Sequence, residues 1–119
     1  MVKTKNDDHR EITIPLLRKR SEHNENILHN LEELALHQEN LTAIGNALNR
    51  LCSKTLKILL LQNNVIGKIG SDLRLCQSLE YLNLALNNLT SIDGLSRCEK
   101  LNKLDLTLVG IYFSISIFH

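Results

Sequence analysis

The stretch LEYLNLALNNLTSI, residues 79–92, sets apolar side chains at its positions 1, 4, 6, 11 and 14 and an asparagine at position 9. The same template fits LEELALHQENLTAI (31–44) and LKILLLQNNVIGKI (56–69), and LNKLDLTLVGI (101–111) follows its first half. The starts lie 25, 23 and 22 residues apart, within the roughly 20–29-residue period of leucine-rich repeats. Amphipathic helices also carry leucines three apart. The pairs Leu34/Leu36, Leu59/Leu61, Leu82/Leu84 and Leu104/Leu106 are spaced by two, which is the strand period. The expected fold is therefore α/β: a leucine-rich-repeat solenoid with parallel strands on its concave face and short helical or 3-10 turns on its convex face.

Each copy predicts a strand over positions 3–7, with positions 4 and 6 turned into the core. Position 9 is asparagine in the two middle copies, Asn64 and Asn87. A primary amide there can both donate to and accept from the backbone of a buried bend, which would otherwise hold stranded polar groups. Glu39 takes that position in the first copy and Val109 in the last; valine cannot make the amide's bonds. On the return path Leu73, Cys76 and Leu79, then Leu95, Cys98 and Leu101, recur at intervals of three, which suits short turns laid against the core. The cysteines read as small buried hydrophobes. Cys52 precedes Leu56 by four rather than three, so the first copy should hold a longer turn around Leu48 and Leu51.

Ile12 to His23 reads as a helix with Thr13 as N-cap, Pro15 in the first turn, and Ile14 and Leu17 on one face. A solenoid buries its core only between neighbours, so its end needs such a cover. The expected organisation is a disordered lead-in over 1–11, a helical cap over 12–30, a repeat domain of about three and a half copies over 31–107, and an atypical apolar tail over 108–119. Arg18, Lys19 and Arg20, with Glu22 and Glu25 nearby, read as a solvated helix face. The tail admits three accounts: an improvised cap, a self-association element, or a truncated or mis-spliced product. The last is favoured, because an exposed β-branched end invites strand pairing.

The bulk numbers agree with a single soluble domain: 119 residues, 43% hydrophobic, 23% charged, net charge +1. Aromatics at 3% with no tryptophan leave little for stacking nucleic-acid bases, and near neutrality argues against a phosphate-tracking surface. No apolar run approaches the roughly 18 residues of a membrane span. Three cysteines without a secretory signal suit a reduced, cytoplasmic chain. The expected partners are thus proteins, with no nucleic acid, no membrane and no cofactor.

The outward side chains of the strands should be Glu33, Ala35 and His37; Ile58, Leu60 and Gln62; Tyr81, Asn83 and Ala85; and Lys103, Asp105 and Thr107. Ile58, Leu60 and Tyr81, with small Ala35 and Ala85, form an apolar centre with a polar rim, the pattern of a protein interface. Catalysis and metal binding find no support. The histidines are scattered, no H-x-x-x-H or C-x-x-C spacing occurs, and no glycine-rich phosphate loop precedes a Lys-Ser/Thr pair.

The L-x-x-L-x-L-x-x-N-x-I-x-x-I form resembles the SDS22-like class of leucine-rich repeats. ITIPLLRKRSEHN (12–24), LEELALHQENL (31–41), LKILLLQNNVIGKI (56–69), LEYLNLALNNLTSI (79–92) and CEKLNKLDLT (98–107) resemble, in order, the amino-terminal region of the tilB-type proteins. The resemblance implies a non-enzymatic adaptor for cytoplasmic preassembly of axonemal dynein arms in motile cilia and flagella. It implies dynein heavy chains and chaperone-associated assembly factors as partners. The family's further repeats, coiled coil and chaperone-like domain have no counterpart in the sequence, and its pattern is departed from after Thr107. Two other functions suit the same repeat class: a regulatory subunit for a phosphatase, and a ribonucleoprotein component.

Overall fold

A computed structural model describes residues 8–107. Four three-residue strands, β1 (Glu33–Ala35), β2 (Ile58–Leu60), β3 (Tyr81–Asn83) and β4 (Lys103–Asp105), form one parallel sheet in the order β1-β2-β3-β4. The molecule is thus mixed α/β, with each strand beside the next in sequence. The register pairs equivalent positions: Leu34 with Leu59, Leu59 with Leu82, and Leu82 with Leu104.

The strands are shorter than the five-residue span expected, because the chain begins to bend after position 5. Pairing nonetheless continues: Leu36 N donates to Leu60 O (2.8 Å), Leu61 N to Asn83 O (2.8 Å) and Leu84 N to Asp105 O (2.9 Å). At position 8 the backbone turns left-handed in every complete copy, with φ of 56° at Gln38, 59° at Asn63 and 57° at Leu86.

Positions 1, 4, 6, 11 and 14 of the first three copies are buried, forming columns such as Leu34-Leu59-Leu82 and Leu36-Leu61-Leu84. Each buried leucine contributes about 1.5–3 kcal/mol. In the last copy Leu101, Leu104 and Leu106 are only half-buried. The apolar tail and its missing asparagine at 109 lie outside the described residues.

The turn side follows the spacing of its apolar residues. Where they are three apart the bonds run i to i−3, from Cys76 N to Leu73 O (3.0 Å) and from Cys98 N to Leu95 O (3.0 Å). Where they are four apart the bonds run i to i−4, from Cys52 N to Leu48 O and from Leu56 N to Cys52 O. The extra residues of the first copy thereby form helix α2, Ala47–Leu51. All three cysteines are free and buried. Desolvation pushes the Cys52 thiol up to about 11 and, with the two neighbouring thiols adding repulsion, Cys76 up to about 12.

The cap differs from the single helix expected. Helix α1 spans Ile14–Lys19, with Thr13 Oγ1 accepting from Leu16 N at its start, and a separate 3-10 turn covers Glu22–Asn24. Ser21 lies fully buried between them; its carbonyl accepts from Asn24 N and Asn26 N. A run of Ser, Asn and charged residues offers the backbone local side-chain bonds in place of helix, as Asn26 Nδ2 does to Arg18 O. Leu17 is buried as expected, but its buried companion is Ile12 ahead of the helix, while Ile14 is half-buried.

The lead-in also ends earlier than expected. Arg10 O accepts from Thr42 N (2.8 Å), Arg10 N donates to Thr42 Oγ1 (2.8 Å), and Ile12 N donates to Ile44 O (3.2 Å). Residues 10–12 are thus tied to the first copy's bend. Nor is Arg20 part of a solvated face: its guanidinium turns inward onto Glu39, while Arg18 and Lys19 stay exposed.

Candidate protein-binding face

Strand pleating sends positions 3 and 5 to the side opposite the core, and the structure distributes the expected face unevenly. Ile58, Leu60, Tyr81, Asn83, Ala35 and Asp105 are half-buried; Glu33, Lys103 and Thr107 are exposed. A shallow cleft of about 260 Å³ is lined by Arg20, His23, Glu33, Ala35, Ile58 and Leu60. The apolar floor therefore lies between β1 and β2, with the cap as one wall. The cap's part was not legible in the sequence, since it depends on where His23 folds back: its Nε2 sits 3.1 Å from Glu33 O.

Toward β4 the face is polar and internally bonded. Lys103 Nζ stands 4.5 Å from the centroid of the Tyr81 ring, a cation–π contact, and Asn83 Nδ2 donates to the Tyr81 hydroxyl at 3.3 Å. Asn83 and Asp105, both at position 5, each accept from the amide two residues on, Ala85 N and Thr107 N. Those bonds from Thr107, amide first and hydroxyl second, hold the Asp105 carboxyl below the usual carboxylate range.

At position 7 the residues sink toward the bend. Ala85 is only 9% exposed and leaves the outward surface expected of it. His37 and Gln62 are half-buried, and His37 Nδ1 and Gln62 Oε1 have no hydrogen-bond partner among the described residues.

Beneath this face Asn64 and Asn87 are buried at 5% and 3% exposure. Asn64 Nδ2 donates to Leu36 O and Leu61 O (both 2.9 Å), and its Oδ1 accepts from Glu39 N and Leu41 N (both 3.0 Å). Asn87 repeats the pattern one copy on, donating to Leu61 O and Leu84 O and accepting from Ile66 N. Each amide thus bonds its own copy and the one before.

A second polar tie on the turn side was not foreseen. Asn49 is buried; its Nδ2 donates to Ser71 O (3.2 Å) and its Oδ1 accepts from Leu75 N (3.1 Å). Thr55 and Ser78, each just ahead of a position 1, donate hydroxyls to Leu31 O and Lys54 O. The shared offset of Thr55 and Ser78 is visible in the sequence; that of Asn49 is not, because it belongs to the one longer turn.

Among the described residues no three of His, Cys, Asp and Glu gather as a metal site, and no helix is long and apolar enough to cross a membrane. What the face offers is an apolar cleft with a bonded polar flank, suited to binding.

The chain is 50% identical over 97 residues to the mouse (Mus musculus) protein named dynein axonemal assembly factor 11, covering 82% of this chain and 20% of that protein. The chain resembles the tilB-type dynein axonemal assembly factors. The Trypanosoma brucei brucei protein of the same name is 50% identical over 100 residues, 82% of this chain and 24% of its own length. Protein tilB of Drosophila melanogaster is 48% identical over 75 residues, 63% of this chain and 18% of its own. The chain therefore spans about a fifth to a quarter of the length of these three relatives. No protein-family model matches it, and no solved structure matches it significantly.

Proposed function

We propose that this chain is a non-catalytic protein-binding scaffold acting in the cytoplasmic preassembly of axonemal dynein arms. The observation that carries the reading is half-identity over four-fifths of the chain with proteins named for that assembly. The architecture is read as a leucine-rich-repeat solenoid over 31–107 with its cap over 12–30. Parallel strands in sequential order, in-register leucine columns and the buried asparagines support that reading.

The docking face is read as the concave strand surface, with Ile58, Leu60 and Tyr81 at its centre and Glu33, Lys103 and Asp105 at its rim. A few half-buried apolar side chains ringed by polar ones are the usual centre of an interface. Dynein heavy chains and chaperone-associated assembly factors are the proposed partners, in ciliated or flagellated cells.

Affinity capture from ciliated and non-ciliated cells, read by mass spectrometry, tests this. Recovery of axonemal dynein heavy chains from ciliated cells alone is expected. Recovery of a phosphatase catalytic subunit or of spliceosomal proteins, with no dynein, would replace the proposal by the corresponding alternative.

A further inference from the structure

Leu86 stands in an unfavourable place twice over. Its φ of 57° is left-handed, a region that sterics make costly for a leucine and that asparagine, found at the equivalent Asn63, tolerates. Yet 43% of it is exposed, so burial does not compensate. Val65 is equally exposed. Residues 63–66 run beside 85–88, tied by Asn63 N to Ala85 O and Asn88 N to Ile66 O (both 3.0 Å). Leu86 and Val65 thereby sit on neighbouring bends at the edge of the strand face.

The two copies that hold this pair carry no charge from strand to bend. Ile58 to Gly67 and Tyr81 to Ile92 contain no Asp, Glu, Lys, Arg or His, whereas the flanking copies present Glu33 and His37 on one side and Lys103 and Asp105 on the other. An uncharged band thus crosses the two middle copies from the strands over the bend. The strands' own backbone groups are paired with each other, which leaves side chains as the means of recognition. Interface centres are depleted of charge in the same way, and an exposed leucine kept at a left-handed bend position where the preceding copy has Asn63 points to a use for its side chain.

We infer that the docking surface extends over the bend to Leu86 and Val65, and that its occupant is an uncharged, aliphatic face of a partner protein for which Leu86 is the anchor. This rests on the strand face being the docking surface. A charged segment would lose its hydration against this band without finding a counter-charge.

The test uses the isotope-labelled full chain and two helical peptides of equal leucine content, one with glutamine between the leucines and one with alternating lysine and aspartate, followed by amide chemical shifts. The glutamine peptide is expected to shift residues 58–66 and 81–88 and to bind at least about tenfold more tightly than the charged one. Leu86→Asn, which suits the left-handed backbone, should raise the melting temperature yet weaken that peptide by about tenfold, and Leu86→Met should restore it. Shifts confined to the strands and indifferent to Leu86→Asn, or equal binding of the two peptides, would overturn the inference and leave the strand face as docking surface. Shifts absent from both regions would overturn both.

Discussion

Arg20 of the cap donates through Nε to Glu39 at 2.8 Å, with Nη2 2.7 Å from the same carboxylate oxygen, and Glu39 occupies the position that Asn64 and Asn87 hold in the next two copies. The difference follows from what lies upstream. Asn64 and Asn87 each bond a preceding copy, whereas the first copy has only the cap before it. A carboxylate is the group that can hold the cap's guanidinium, which also donates to His37 O.

Glu39→Ala should therefore loosen the cap and not the repeats. The side chains of Arg20 and Glu39 are 24% and 12% exposed, so the loss should be about 1–3 kcal/mol, the range for a charge-assisted bond shielded from water. Amide exchange should accelerate over residues 14–26 and stay slow at Leu59 and Leu82. Equal acceleration in all copies would show the cap and sheet to be one cooperative unit.

Asn64→Ala removes the partners of two amides and two carbonyls in the buried bend, and should cost about 3 kcal/mol or more in urea unfolding. Asn64→Asp keeps the acceptor but loses the donor, so a carboxylate would face Leu36 O and Leu61 O. Its stability should rise as pH falls and the carboxyl gains a proton to donate. A neutral effect of both substitutions would mean that water replaces the amide.

Gly94 is held by contact as well as by conformation. Its φ is 114°, and a Cβ there would run into the carbonyl oxygen of Gly70. Gly94→Ala should cost more than about 1 kcal/mol, beyond the usual penalty of a left-handed position, and Gly67→Ala, with open space around it, should be close to neutral. Thermal unfolding of the two variants side by side measures the difference.

The buried thiols set an alkaline limit. Cys52 and Cys76 are raised from an ordinary value near 9 to about 11 and about 12, and Cys98 is raised as well, in each case chiefly by desolvation. In the unfolded chain these thiols ionise near pH 9 while the folded chain keeps them neutral. Their contribution is thus complete below pH 9 and lost as pH rises through 11 and 12. Cys76→Ala should flatten part of that decline, and a thiol reagent at neutral pH should react only after unfolding. Fast reaction with the folded chain would contradict the burial.

The leucine columns and the parallel order were legible because each depends on a spacing that repeats; the far side was legible only as short helical or 3-10 turns. Leu34, Leu59 and Leu82 are the same residue in the same local frame, and spacings of three or four translate directly into i−3 or i−4 bonds at Cys76 and Cys52. What occurs once was not legible. The break at Ser21, the inward turn of Arg20 and the tie at Asn49 depend on neighbours distant in sequence. Ala85 is buried instead of outward-facing for a related reason: strand alternation ends where the bend begins, and position 7 already belongs to the bend.

On the proposed reading, alternate leucines hold the sheet and the residues between them face a partner. Leu60→Asp with Tyr81→Asp, set against Leu82→Ala, separates the two roles by melting temperature and by capture of axonemal dynein heavy chains. The double variant should stay folded, melting only slightly below the parent for the loss of the Lys103–Tyr81 contact, and lose capture, while Leu82→Ala should lose about 2–5 kcal/mol of stability. A double variant that unfolds would put Leu60 and Tyr81 in the core, and one that still captures dynein at full strength would remove them from the docking face.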